Sequence, residues 1–227
     1  MKTIAALLIK QTKDSLRNLP SLMILAIYPA VAAIMVAAMD SSESPAQFFV
    51  PMFAAMHCSF APLVLSSNIL SEEKEKGTLR SLLMAGVSRR QILASLSLFV
   101  LLAVMLTGSV FLVLKPMEGG EAIRFAAAML FGASVSVLMG LCVGILSPNV
   151  TAANGMAVPA GLVFALLPML GQFNDSLSAV ADYTFSGRLK TVFEGSAFTL
   201  PVALVPSAYL AVLSVLLLWL FRRRGLE

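Results

Sequence analysis

The chain has 227 residues, of which 59% are hydrophobic and only 12% charged, with a mean hydropathy of +0.90. A soluble domain is about 45–50% apolar and about 25% charged, so this composition excludes an ordinary water-soluble globule, and its high hydrophobicity also excludes disorder. Two cysteines and one histidine leave little for a disulfide framework or a zinc site, and the net charge of +4 takes its meaning from where the charges lie.

A helix needs roughly 20 apolar residues to cross the hydrocarbon core. By that measure the chain is an all-α integral membrane protein with six predicted spans, at residues 19–39, 47–70, 92–114, 122–146, 155–173 and 199–221. Residues 1–18 precede them as a separate lead, and 19–227 form one six-span domain. In the lead, Ile4, Leu7, Leu8, Leu16 and Leu19 can share one face while Lys10, Lys13, Asp14 and Arg17 stay wet. That pattern fits an amphipathic helix in the membrane interface, and equally a basic tail that sets orientation. The first apolar run exceeds the usual signal-peptide core of about 7–15 residues, so it reads as a retained span.

The second span carries His57, the single histidine, near its middle, with Cys58 beside it and Asn68 nearer its end. Intramembrane ionisable groups are functional candidates by default, which makes His57 and Asn68 possible pathway residues. A proton relay would need polar company on other spans, and Cys58 points about 100° away from His57, against joint metal ligation. No metal site is expected. The competing reading is a histidine hydrogen-bonded to a neighbouring helix. Cys58 and Cys142 read as small buried residues.

The loop from Ser71 to Gln91 is the most charged stretch. Glu72 to Lys76 suit a solvated extension of the second span, ended by Gly77 as a helix C-cap. Leu79, Leu82, Leu83 and Val87 then recur at helical spacing as one apolar stripe on a short helix. Ser88-Arg89-Arg90-Gln91 fits a capping box that opens the third span. The stripe must be buried against a partner's groove, the chain's own surface or the lipid interface.

Span four carries Gly132, Ser136, Gly140 and Gly144 at four-residue intervals, a small-residue face that lets another helix approach closely, within the chain or in a dimer. Pro159 and Pro168 predict a kinked fifth span. From Asn174 to Phe198 the apolar residues predict one or two short helices at the outer interface, lidding an exit pathway or covering the fifth span.

Twelve of the sixteen basic residues fall on one side: Lys2, Lys10, Lys13, Arg17, then Lys74, Lys76, Arg80, Arg89, Arg90, then Arg222, Arg223 and Arg224. Lys115, Arg124, Arg188 and Lys190 face seven acids on the other, among them Asp40 and Glu43. The positive-inside rule therefore predicts a cell-membrane protein with both termini cytoplasmic. It also accounts for the basic charge without a nucleic-acid partner. The sequence holds no G-x-x-x-x-G-K-[ST] motif and no nucleophile–base constellation, so catalysis is not expected of this chain.

The run Glu73-Lys74-Glu75-Lys76-Gly77-Thr78-Leu79, followed by Leu82-Leu83, Arg89 and Ile92, resembles the signature of ABC-2 type permeases, the membrane subunits of ATP-binding cassette exporters. The basic lead, six spans and short external helices before the last span resemble that family's layout. Arg80, Gly86 and Ala94-Ser95 depart from its pattern and leave subfamily and cargo open. The resemblance implies that the loop forms a coupling helix docked on a separate cytoplasmic ATPase, which would hold the ATP and magnesium. Leu79, Leu82 and Leu83 would fill the ATPase groove, Glu73 and Glu75 would fix the helix end, and Gly77-Thr78 would make the turn. The lead would be an interfacial connector, and a second permease subunit would complete a pathway for an amphipathic cargo such as a peptide, lipid, drug or glycolipid. Two other classes compete: a self-sufficient secondary transporter or channel using His57 or Asn68, and a non-transporting membrane immunity or sensor protein.

Overall fold

In hydrocarbon every backbone polar group must be satisfied internally, so uninterrupted apolar runs fold as helices. The computed structural model describes residues 2–39 and 45–223, and these are all-helical, with ten helices and no strand. Asp40, Glu43 and Arg224 lie outside the described residues. The helices are α1 (Lys2–Arg17), α2 (Leu19–Ala38), α3 (Pro45–Glu75), α4 (Thr78–Met84), α5 (Arg89–Leu114), α6 (Gly119–Leu146), α7 (Val150–Leu170), α8 (Asp175–Ala181), α9 (Phe185–Phe193) and α10 (Leu200–Arg223). Six of them, α2, α3, α5, α6, α7 and α10, are long and apolar enough to cross a membrane, which makes the chain a multi-pass membrane protein.

Helix starts follow local chemistry. Asn18, Asn149 and Asn174 accept backbone N–H bonds at the starts of α2, α7 and α8, and the Thr184 hydroxyl does so for α9. Ser88 and Gln91 form the predicted capping box of α5: Ser88 N donates to Gln91 Oε1 at 2.9 Å, and Gln91 N to Ser88 Oγ at 3.3 Å.

α3 is the centre of the bundle. It packs against α2, α5, α6, α7 and α9, and its contact with α6 is the most extensive in the fold. The reason lies in α6, whose small residues let the two backbones close up. A Cβ on Gly140 would stand 2.3 Å from the Leu63 carbonyl oxygen, and one on Gly144 would stand 3.0 Å from Leu70 Cβ. Gly132 faces Cys58 in the same way. The predicted stripe therefore has its partner inside the chain, on α3. Ser136 shares this buried face, and its Oγ has no hydrogen-bond partner among the described residues.

A helix this buried carries four serines, and three of them bond back one turn, while the Ser71 hydroxyl finds no hydrogen-bond partner among the described residues. Ser59 Oγ donates to the Ala55 carbonyl at 2.6 Å, Ser66 Oγ to Pro62 at 2.7 Å and Ser67 Oγ to Val64 at 2.9 Å. At those three positions serine serves as a small residue whose polar atom is locally satisfied.

Several boundaries and placements differ from expectation. The charged extension of the second span continues the same helix to Glu75, as expected, but it is not simply solvated: Ser71 is fully buried and Lys74 finds partners on α6. The fifth begins at Val150, where Asn149 caps it, and retains Pro159 and Pro168 inside. The stretch after it forms α8 and α9, but α9 does not rest on the surface. Phe185, Leu189 and Phe193 are fully buried among α3, α6, α7 and α10. An aromatic cluster of Phe164, Phe185 and Tyr209 and the close pair Phe125–Phe193 hold it there. Lys115 at the end of α5 locks the same region: its Nζ donates to Glu121 Oε1 at 2.9 Å and to the Phe193 carbonyl at 3.4 Å.

Candidate functional site

The charged run after the second span closes the end of the bundle that carries α1, α4 and the end of α10. Leu8, Leu82, Leu83, Leu217 and Phe221 all pack on one buried cluster there with Leu70, Ile92 and Ile145. Within that end, consecutive side chains of the α3 terminus go to different helices. Glu73 takes an ion pair from Lys10 of α1 and a hydrogen bond from the Thr78 hydroxyl at the start of α4. Thr78 Oγ1 also donates to the Glu73 carbonyl at 3.1 Å. Lys74 Nζ donates to the carbonyls of Ile145 at 2.9 Å and Ser147 at 2.8 Å, and to Gly144 at 3.4 Å, capping the end of α6. Glu75 Oε2 accepts from Val150 N at 3.1 Å, at the start of α7.

Electrostatics suits each of these contacts. A cation at a helix C-terminus and an anion at an N-terminus both complement the helix dipole. Hydrogen bonds to charged groups are each worth about 1.5–3 kcal/mol, so the terminus of α3 is a junction that ties α1, α4, α6 and α7. Lys76 differs, since among the described residues it pairs with Glu72 one turn back on an exposed face. That hydrogen bond, with the carboxylate's charge, holds the Lys76 ammonium above its ordinary range.

Gly77 makes the turn into α4 at φ 67°, a left-handed conformation that a glycine adopts freely. At the other end of α4, Gly86 at φ 83° lets Val87 N reach back to the Leu82 carbonyl at 3.1 Å, the six-to-one bond of a Schellman turn. The apolar stripe points inward. Leu79 is 2% exposed and belongs to the chain's own core, with Leu82, Leu83 and Val87 half-buried against it. Leu79 is therefore turned into the chain's own core, whereas the family resemblance implied that it fills a partner's groove. The outward face of α4 presents Arg80, Ser81 and Met84, the last 74% exposed. Arg89 sits at the first turn of α5, half-buried and outside the junction.

Residues 1–18 also differ from the predicted face. α1 packs on α5 and α2, and its buried line is Leu7, Gln11 and Ser15. Leu16 and Leu19 are exposed instead, and Lys10, expected to stay wet, is bound to Glu73. Sequence reasoning missed Lys10 and Lys74 as site residues. The available signal was a lysine between two acids at a helix end, where a straight solvated extension would have no reason to alternate charge.

His57 and Asn68 are not brought together. They share a face of α3 but lie eleven residues apart, about 16 Å along the axis. His57 is fully buried, and its Nε2 lies 3.2 Å from the Val104 carbonyl and 3.1 Å from Thr107 Oγ1, both on α5. A carbonyl only accepts, so Nε2 carries the proton and His57 is a tie between α3 and α5. Asn68 is half-buried, and its Oδ1 has no partner among the described residues.

Fold and site together define an all-helical, multi-pass membrane protein with a charged junction at one end of a tightly packed central helix. No protein-family model matches the chain, and no curated protein matches it.

Proposed function

We propose that the chain is the permease subunit of an ATP-binding cassette exporter of the ABC-2 type, working with a separate ATPase and a second permease subunit. In this reading both termini and the junction are cytoplasmic, as the distribution of lysine and arginine indicates. α1 is the interfacial connector and α4 the coupling helix. The observation that carries the reading is the junction itself. A force applied to α4 passes through Thr78 and Glu73 to α1, and along the same α3 terminus through Lys74 and Glu75 to α6 and α7. An exporter subunit needs such a part, because nucleotide-driven motion outside the membrane has to move several spans together.

The docking surface in this reading is the outward face of α4, with Met84 as its apolar anchor, Arg80 and Ser81 as its polar rim, and Leu82 and Leu83 as its backing. The cargo would be amphipathic, passing between two copies or homologous subunits. The test is affinity purification of the tagged chain from its native membrane with mass spectrometry of what accompanies it. A partner with a nucleotide-binding sequence is expected, and Met84→Asp should release it while leaving membrane insertion intact. A chain recovered alone, or a partner retained unchanged by Met84→Asp, refutes the docking assignment. Leu82→Glu with Leu83→Glu is a poor substitute, since those side chains also support the core.

A further inference from the structure

The junction at the end of α3 uses its charge internally. Lys10 and Lys76 are paired with carboxylates, Lys74 lies on the carbonyls at the end of α6, and Glu75 bonds to the start of α7. The arginines that follow take no part in this. Among the described residues the side chains of Arg80, Arg89 and Arg90 form no ion pair and no hydrogen bond. From Gly77 to Met117 the sequence contains no aspartate or glutamate, so no carboxylate of α4, α5 or the turn between them offsets these charges.

Two of the three also stand where local electrostatics would select the opposite sign. Arg89 and Arg90 occupy the first turn of α5, where the helix dipole favours an acid and disfavours a cation. The Ser88–Gln91 capping box completes that helix start without them. Orientation in the membrane requires basic residues near a span end but in no particular turn. Arg80 and Arg90 are exposed and Arg89 is half-buried, and between them in the chain Met84 stands 74% exposed on the outward face of α4. An apolar anchor flanked by unpaired arginines is the composition of a recognition surface, whose counterpart carries the acids.

We propose that α4 and the start of α5 bind an acidic cleft on the partner ATPase. Met84 enters the cleft, and carboxylates on its rim pair with Arg80, Arg89 and Arg90. The planar fork of a guanidinium matches a carboxylate in bidentate geometry. A layer of lipid headgroups could take the charges but would leave Met84 among them, so the pattern favours a protein cleft. This rests on the transport reading and names the chemistry of the partner's face.

The test starts from the tagged full chain, purified from its native membrane and washed over a sodium chloride series. A co-purifying chain with a nucleotide-binding sequence should be released as salt rises from about 50 to about 500 mM, a range that screens exposed charge pairs. Arg80→Gln combined with Arg89→Gln and Arg90→Gln should lower its retention at the low end by about tenfold. Arg124→Gln, an exposed arginine at the opposite end of the bundle, should leave it unchanged. Arg80→Gln alone should lower it by about threefold and covers the case in which the triple variant does not insert. Zero-length carbodiimide coupling gives a second readout: the amine of the Arg80→Lys chain should be joined to an aspartate or glutamate of that partner, located by mass spectrometry. A nucleotide-binding partner that resists salt and is retained by the triple variant as by the parent overturns this inference and leaves the transport reading standing. So does coupling that reaches no carboxylate of the partner. Recovery of no nucleotide-binding partner by the parent chain refutes the transport reading, and this inference falls with it.

Discussion

Gly140→Ala is the most direct probe of the central packing. The new Cβ would lie 2.0 Å from Ser66 Oγ and 2.3 Å from the Leu63 carbonyl oxygen. Serine can rotate away, but the carbonyl belongs to the α3 backbone. A carbon–oxygen contact settles near about 3.3 Å, so α3 and α6 must part locally by about 1 Å. A gap of that size forfeits roughly a quarter to a half of each dispersion contact across the seam, and overpacking of this kind costs about 1–3 kcal/mol. The Ser66 Oγ bond to the Val137 carbonyl, at 3.3 Å, spans the same seam and goes with it. The expected loss is about 3 kcal/mol, or roughly 6–12 °C in melting temperature for a chain of this size. Gly132→Ala should cost less because it meets the ends of the Leu189 and Cys58 side chains, which can shift, and Gly144→Ala because its nearest neighbours, Leu70 Cβ and the Ser67 carbonyl oxygen, lie at 3.0 and 3.2 Å rather than 2.3 Å. Gly155→Ala, with nothing within 4 Å, should be neutral or gain up to about 1 kcal/mol from helix propensity. The assay is thermal melting by circular dichroism in one detergent. If Gly140→Ala melts with the parent, or the order across the four variants is lost, the seam does not hold the bundle as described.

Lys74→Met should destabilise by about 2–3 kcal/mol, since the carbonyls at the end of α6 lose a cation, while Lys76→Met, on an exposed pair, should change stability by less than about 0.5 kcal/mol. Comparison of the two melting curves checks this, and equal effects would argue that the junction is only surface charge. Lys115→Met should leave Glu121 unpaired and loosen the end of α9, seen as faster amide hydrogen exchange over Leu189 to Phe193 than in the parent.

The fold class was legible in the sequence because the solvent dictates it. Six runs of apolar residues in a chain with few charges admit helices and little else, and the capping box at Ser88 and the left-handed turn at Gly77 are local chemistry read from a few neighbouring residues. What the sequence could not supply was which faces meet. The stripe of Gly132, Gly140 and Gly144 announces a close neighbour, but only the packing shows that the neighbour is α3 of the same chain. Leu79 looks the same in sequence whether it is offered to a partner or turned inward, because helical periodicity defines a face without saying what covers it. The same limit hid the burial of α9, whose phenylalanines are too sparse for a span yet fill a space that four other helices leave open. Lys10, Lys74 and Glu75 were legible as charges, but their partners lie 63 to 75 residues away in the chain. Local sequence sets helix ends through caps and turns, whereas a contact across such separations exists only once the bundle has closed. The junction at the end of α3 is for that reason a property of the tertiary structure.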